Sequence, residues 1–308
     1  MRNYIVDAFL SAGIYVYSAA GRSYGNHILS REQADELFTS YKSKFAEIDG
    51  LRVHYRDEGE GETIVLLHGF GASLHTWEKW AKDLVKSYRV IRVDIPGFGL
   101  SDSPKRHHIH VDFFVNWLEH FLNHLRVRHC YLAGNSFGGW MSWEFVLEHP
   151  NRVKKLVLID AAGYFTKDTN VRTIEYANRG WLKKLLETGI PRFLIKSLVS
   201  KAFGDKSKLD DFMINRYYGL ANREGNLASI IKFASKSPVA NTHKIKEIGH
   251  PTLIMWGAKD TVIHYADAFS FKHDIKDSRL VMYDEAGHVP MVELPEETLR
   301  DLKVFLEN

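Results

Sequence analysis

The stretch LAGNSFGGW, Leu132–Trp140, sets one serine, Ser136, between Gly134 and the pair Gly138–Gly139, with no charged residue beside it. An apolar run, CYLAG, leads in, and a helical pattern, GGWMSWEFVLEHP, leads out. Glycines two positions either side of such a serine are needed when the strand and helix backbones crowd the turn and leave no room for a Cβ. Read as Gly134-Asn135-Ser136-Phe137-Gly138, the stretch fits G-x-S-x-G, a strained elbow that lifts a serine hydroxyl to the top of a sheet.

The segments around it repeat one theme: a short β-branched run ends at a glycine-rich or acidic turn, and a helical pattern follows. The runs are TIVLLHG (63–69), RVIRVDIPG (89–97), CYLAGNS (130–136), KLVLIDAAG (155–163), PTLIMWG (251–257) and RLVMYDEAGH (279–288). Continuous apolar runs suit strands buried on both faces, so the fold class is α/β, a mostly parallel sheet covered by helices. Upstream, AEIDGLRVHYRDEG alternates around an Asp-Gly pair and reads as a hairpin. Between Gly163 and Ile248 the theme stops. Four helical patterns fill about 85 residues there, too many for a loop, and they predict a lid. The expected organisation is an N-terminal helical extension (1–45), a core in two pieces (46–162 and 249–308) and a helical lid (163–248).

Within the extension, Ser30 and Gln33 form a capping box for a helix on which Ala34, Leu37, Phe38, Tyr41 and Phe45 share a face. Before it, Tyr4 to Ser23 is nearly apolar. Asp7, Ser11, Ser18 and Arg22 make one helical stripe and Ile5, Phe9, Ala12 and Val16 another, which reads as an amphipathic helix. Such a helix packs on the body, on a second copy in a homodimer or on a membrane surface; a cleaved signal is the remaining reading. No charge-free apolar stretch of 18 residues is present, so a spanning helix is not expected.

Of 308 residues, 45% are hydrophobic, and the formal charge is +3 with both signs interspersed, which argues against a nucleic-acid partner. The lone cysteine, Cys130, lies in an apolar run and reads as a buried structural thiol. That count fits a cytoplasmic setting, with membrane association and secretion both left open by the N-terminus.

A serine hydroxyl is a poor nucleophile at neutral pH and requires a base and a group to orient that base. His288, in DEAGHVPMVELPEE after the last strand run, is the candidate base. Asp260, in WGAKDTVIH after the preceding run, is the candidate acid; its competitor, Asp160 at the end of LVLID, reads as an anchor for the start of the lid. Asp94 reads as a turn-fixing residue and His68 as a support for its loop. The run His107, His108 and His110 has no companion at ligand spacing and reads as a solvated loop, so no metal is expected.

With LLHGFGASLHTW, DIPGFGLSDSP, GNSFGG, WGAKDTV and GHVPMVELPEE in this order, the chain resembles the α/β-hydrolase superfamily over residues 46–308. The resemblance implies an eight-stranded sheet with its first hairpin antiparallel to the rest, and no cofactor. It also implies an oxyanion hole from the backbone N–H groups of Phe70 and Phe137, leaving both rings free to line an apolar pocket. Loss of one such donor costs about 2.7–4 kcal/mol of transition-state stabilisation.

The leading expectation is a serine esterase or lipase-like hydrolase acting on a small apolar ester, of short or medium acyl chain or monoglyceride-like. The runner-up is hydrolysis of a carbon–carbon bond in a ring-cleavage dienoate, since GNSFGG also resembles that branch. The chain departs from the branch in its oxyanion loop and in Val289 after Gly287-His288, but supplies lid cations Arg172, Arg179, Arg192, Arg216 and Arg223. A third reading, from another class, is a non-catalytic binding protein on the same fold. The lid aromatics, among them Tyr164, Phe165, Tyr176, Trp181, Phe193, Phe203, Phe212, Tyr217 and Tyr218, are expected mostly to pack the lid itself.

Overall fold

In the computed structural model, residues 28–104, 110–164, 189–234 and 240–308 are described, along with the strand pairs at 16–17 and 23–24. Eight strands form one sheet: β1 (Lys44–Ile48), β2 (Leu51–Glu58), β3 (Glu62–Leu67), β4 (Tyr88–Val93), β5 (Cys130–Asn135), β6 (Val153–Ile159), β7 (Thr252–Gly257) and β8 (Ser278–Tyr283). Their spatial order is β8-β7-β6-β5-β3-β4-β2-β1. All neighbours from β8 to β4 are parallel, whereas β2 is antiparallel to both β4 and β1. The eight-stranded expectation holds, with one refinement: only β2 opposes the others, because β1 folds back on it through the Asp49–Gly50 turn. Both turn residues have positive φ, 53° and 73°, as a tight hairpin requires.

The helices around the sheet are α1 (Arg31–Phe38), α2 (Glu78–Leu84), α3 (Val111–His124), α4 (Phe137–Glu148), α5 (Arg192–Ser200), α6 (Asp211–Ala221), α7 (Asn226–Ala234), α8 (Ala266–Asp274) and α9 (Pro295–Glu307). Strand side chains alternate between two cores. Val65 and Leu67 pack with Phe114, Trp117 and Trp143 of α3 and α4, and Ile64 and Leu66 with Trp80, Leu84 and Leu302 of α2 and α9. Each fully buried large apolar side chain contributes about 1.5–3 kcal/mol. The parallel strands are thereby fixed against sliding, and their C-terminal ends come to a common edge.

Helices α5, α6 and α7 lie between β6 and β7 and coincide with three of the four lid patterns; the fourth, 170–189, falls almost wholly outside the described residues. Asp210 caps α6 by accepting from the Met213 N–H at 2.7 Å. The inserted helices are pinned to the core by Arg223, which donates to the Ser101 carbonyl at 3.0 Å, and by Asn226, which donates to the Gly99 carbonyl at 2.8 Å.

Two N-terminal expectations are corrected. The Ser30–Gln33 capping box is present, with Ser30 N–H donating to Gln33 Oε1 at 2.9 Å and Gln33 N–H to Ser30 Oγ at 3.2 Å. Yet α1 ends at Phe38: Thr39 Oγ1 donates to the Asp35 carbonyl at 2.7 Å and Thr39 turns extended. Serine and threonine compete with the helix for backbone bonds in this way. Tyr41 is consequently exposed and Phe45 sits in β1 under the Arg52 guanidinium, 3.5 Å from its ring. Nearer the terminus, Val16–Tyr17 pairs antiparallel with Ser23–Tyr24, so the helix read over Tyr4–Ser23 does not continue through Val16. A β-branched and aromatic pair favours the strand. The rest of that stretch lies outside the described residues. Among the described residues, no helix is long and apolar enough to cross a membrane.

Candidate active site

Ser136 stands between β5 and α4 with φ 55° and ψ −115°, a conformation L-residues rarely adopt. Its backbone is held on both sides: the N–H donates to the Ile159 carbonyl at 3.0 Å, and the carbonyl accepts from Trp140 N–H at 3.0 Å and Ala162 N–H at 3.1 Å. The flanking glycines have the steric role expected of them. A Cβ on Gly134 would lie 2.2 Å from the Gly138 carbonyl oxygen, and one on Gly138 would lie 2.3 Å from that of Leu67.

Asp260 and His288 follow β7 and β8, and the sheet order brings both loops beside the elbow. His288 Nδ1 lies 2.7 Å from Asp260 Oδ2. The other oxygen, Oδ1, accepts from the N–H groups of Val262 at 2.7 Å and Ile263 at 3.1 Å, which sets the carboxylate plane. Asn135, beside the serine, donates to the carbonyls of Ile159 at 3.1 Å and His288 at 3.0 Å and so ties the elbow to the histidine loop.

Asp160 does not merely anchor the start of the lid. It is wholly buried, has φ 43°, and one of its oxygens lies within 4.8 Å of both Asp260 and His288. Burial first, then the charge of Asp260, holds its carboxyl well above the usual carboxylate range. This trio is the one group with cation-binding spacing among the described residues. Backbone N–H donors already occupy oxygens of both carboxylates, which suits a hydrogen-bonded carboxyl pair better than a metal. His110 precedes α3, while His107 and His108 lie outside the described residues.

The loop after β3 is braced by His68, as expected of that residue. His68 is buried, accepts from the Ile95 N–H through Nε2 at 3.0 Å and directs Nδ1 at the Gly69 carbonyl at 2.7 Å. Burial pushes its pKa down, in keeping with a neutral ring. Phe137 begins α4, so its N–H is one of the four helix donors with no intrahelical acceptor. The ring positions differ from expectation for one of the two phenylalanines. Phe70 lines the cavity over the serine, whereas Phe137 is buried against Phe233 and Phe114, with ring centroids 4.8 and 5.1 Å away. An α4 residue facing the inner core has no line to the pocket.

Asp94 fixes the turn, as read. It accepts from the N–H groups of Leu74 at 2.7 Å and Leu100 at 2.8 Å and pairs with His54 Nδ1 at 2.7 Å. Burial opposes its charge most, but its pairing with His54 and the nearby His68 and His75 together hold the carboxyl below the usual range. A carboxylate with a depressed folded pKa adds stability that is present above its unfolded value, about 3.9, and lost as pH falls toward the folded value. Asp94→Asn is therefore expected to flatten the acid limb below pH about 4 by about 1.4 kcal/mol per pH unit, read from denaturant melts at stepped pH. An unchanged slope would contradict the assignment. Cys130 is buried, and burial pushes its thiol up to about 12, as suits a structural residue.

Over Ser136 and His288 opens a cavity of 460 Å³. Its walls are mainly aliphatic, from Ile190, Ile195, Leu198 and Val199 of the inserted segment, Val262 of the Asp260 loop and Val289 beside His288, with Lys201 and the ring of Tyr217 among the rest. Of the lid aromatics, Phe203 and Tyr218 are buried in packing and Phe193 and Phe212 are exposed; Phe165, Tyr176 and Trp181 lie outside the described residues. A narrower cleft, lined by Ser73, Thr76 and Arg216, shares Gly71, Ala72 and Tyr217 with the main cavity. Sequence reasoning did not single out Asn135, Glu293 or the cavity's aliphatic lining. The only available signals were the motif positions of the first two.

Residues 62–295 match the family model described as the alpha/beta hydrolase fold. A 2-hydroxy-6-oxo-2,4-heptadienoate hydrolase of Pseudomonas putida is 28% identical over 270 residues, 83% of this chain and 93% of that enzyme. A 2-hydroxy-6-oxononadienedioate/2-hydroxy-6-oxononatrienedioate hydrolase of Escherichia coli is 31% identical over 250 residues, 77% of this chain and 85% of that enzyme. Among solved structures, a bacterial membrane phospholipase A superposes with a TM-score of 0.73 at 28% identity, covering 86% of this chain and 85% of its own.

Proposed function

We propose that this chain, which belongs to the α/β-hydrolase family, hydrolyses carboxylic esters through an acyl-enzyme on Ser136. His288 takes the serine proton as Oγ attacks the ester carbonyl, while Asp260 holds the Nδ1 side of the ring and stabilises the imidazolium. The carbonyl oxygen gathers charge facing the N–H groups of Phe70 and Phe137. Collapse expels the alcohol, which takes the proton from His288; water, activated by the same base, then releases the acid.

The observation that carries this reading is the aliphatic cavity over Ser136 and His288. Each buried methylene of an acyl chain gains about 0.8 kcal/mol there, which favours a short to medium chain or a monoglyceride-like ester. Likeness to a membrane phospholipase A supports it.

The second reading is hydrolysis of a carbon–carbon bond in a ring-cleavage dienoate, and the two curated relatives favour it over the ester. One observation of the site agrees. Arg216, its guanidinium 5.4 Å from the Phe212 ring centroid, lines the narrow cleft beside Gly71 and Ala72 and brings a cation near the site, as recognition of a substrate carboxylate requires. Against it, Val289 follows the histidine and the main cavity is aliphatic.

Nitrophenyl esters of graded acyl length, run beside a 2-hydroxy-6-oxo-dienoate, separate the two. The ester reading expects kcat/KM to rise with the first few methylenes and to exceed that for the dienoate. Background-level ester turnover with rapid dienoate cleavage would overturn it, and Arg216→Leu should then abolish the dienoate activity.

A further inference from the structure

The reading of Ser136, Asp260 and His288 leaves one buried carboxyl beside them without a task. Asp160 directly follows β6, beside the end of β7, where its Oδ1 accepts from the Gly257 N–H at 2.9 Å. Its Oδ2 is sealed from solvent and receives no hydrogen bond from a donor among the described residues. The groups that face it are acidic or catalytic: Asp260 within hydrogen-bonding contact, a ring nitrogen of His288 within 4.8 Å, and Glu293 further off. Its backbone is held in the left-handed region at φ 43° and tied by its N–H to the Met255 carbonyl at 3.0 Å, so the side chain is aimed by the fold. Two ionised carboxylates this close in a dry site repel strongly, whereas one proton shared between them turns the contact into a strong hydrogen bond.

Resting on the triad reading above, we infer that Asp160 is a positioning residue that stays neutral and donates its O–H to Asp260, completing the shell that holds Asp260 against His288. The carboxylate of Asp260 is then fixed by three donors besides the imidazole: Val262 N–H, Ile263 N–H and the Asp160 acid. Burial and the neighbouring negative charge of Asp260 hold the Asp160 carboxyl well above the usual carboxylate range, which favours the proton on Asp160. Asp160 touches no reacting atom and acts through Asp260.

The test uses the full chain and a nitrophenyl ester. Asp160→Ala should lower kcat about tenfold or more with KM little changed, since the loss is in orienting the base. Asp160→Asn keeps an N–H donor toward Asp260 and a carbonyl toward Gly257, and should restore kcat to within about threefold of the parent. Should the alanine variant fold poorly by thermal melting, Asp160→Leu, which keeps the volume and lacks the donor, reads the same loss. In an Asp260→Ala background, Asp160→Ala should change kcat less than about twofold, because its effect travels through Asp260. The inference is overturned if the asparagine variant is as impaired as the alanine one, or if removing Asp160 costs as much without Asp260 as with it. Failure of the triad reading would look different: Ser136→Ala would keep turnover, and a fluorophosphonate would label elsewhere.

Discussion

Ser136→Ala is expected to abolish turnover of the enzyme's substrate, with kcat lower by on the order of 10⁶-fold and a residual rate set by the oxyanion donors and binding alone. The size of the loss follows from the site's dependence on one oxygen: His288 and Asp260 have nothing to activate without it. Stability should hardly move. The elbow's structural bonds are all made by the Ser136 backbone, to Ile159, Trp140 and Ala162, and alanine keeps each of them. Its φ of 55° is as strained for alanine as for serine, so no relief is gained either. Ester kinetics, thermal melting and fluorophosphonate labelling of parent and variant together check the expectation. A variant that melts like the parent and still turns over or labels would sink Ser136 as the nucleophile.

What was legible in the sequence was whatever local sterics and period dictate. Gly134 and Gly138 could be read because a Cβ at either would strike a backbone oxygen at little over 2 Å, and the apolar runs because strands buried on both faces tolerate little else. The order of Ser136, Asp260 and His288 was legible because each follows a strand run. Less legible was whatever depends on the direction in which a side chain leaves its element. Phe137 supplies its N–H from the same position whichever way its ring turns, and the ring turns inward against Phe233. Asp160 looked like an anchor because its proximity to Asp260 arises only when β6 and β7 pair in register, Leu158 against Ile254 and Ile159 against Met255. The end of α1 was missed for a local reason, the backbone capture by Thr39.

The inserted helical segment and the His288 loop are hydrogen-bonded together. His288 N–H donates to the Ala202 carbonyl at 2.8 Å, and buried Glu293 accepts from Gly287 N–H at 2.7 Å and from Asp205 N–H at 2.9 Å. Gly204 and Gly287 approach so closely that a Cβ on either would meet the other's nitrogen within 2.7 Å. The segment that follows α5, whose side chains wall the cavity, is thus bonded to the same loop that carries the base. Through the Ala202 carbonyl and Glu293, the segment after α5 and the loop that carries His288 are bonded to each other directly.

Asp260→Asn is the second large effect expected, a fall in kcat of about 10⁴-fold with little change in fold. The surrounding donors decide why. Asp260 Oδ1 faces two backbone N–H groups, from Val262 and Ile263, so an asparagine amide places its oxygen there and its nitrogen toward His288. The reverse orientation would set an amide N–H₂ against two buried donors, at about 1–3 kcal/mol for each unsatisfied group. In the favoured orientation the amide donates to His288 Nδ1, which forces the ring proton onto Nε2, the nitrogen that must accept from Ser136. The base is then present, correctly placed and in the wrong tautomer. Kinetics on the ester measure the loss, and the rate of fluorophosphonate labelling at Ser136 should fall with it while the melting temperature stays within a few degrees. Near-parental turnover in Asp260→Asn would mean that another carboxylate orients His288, and Asp160 is the one within reach.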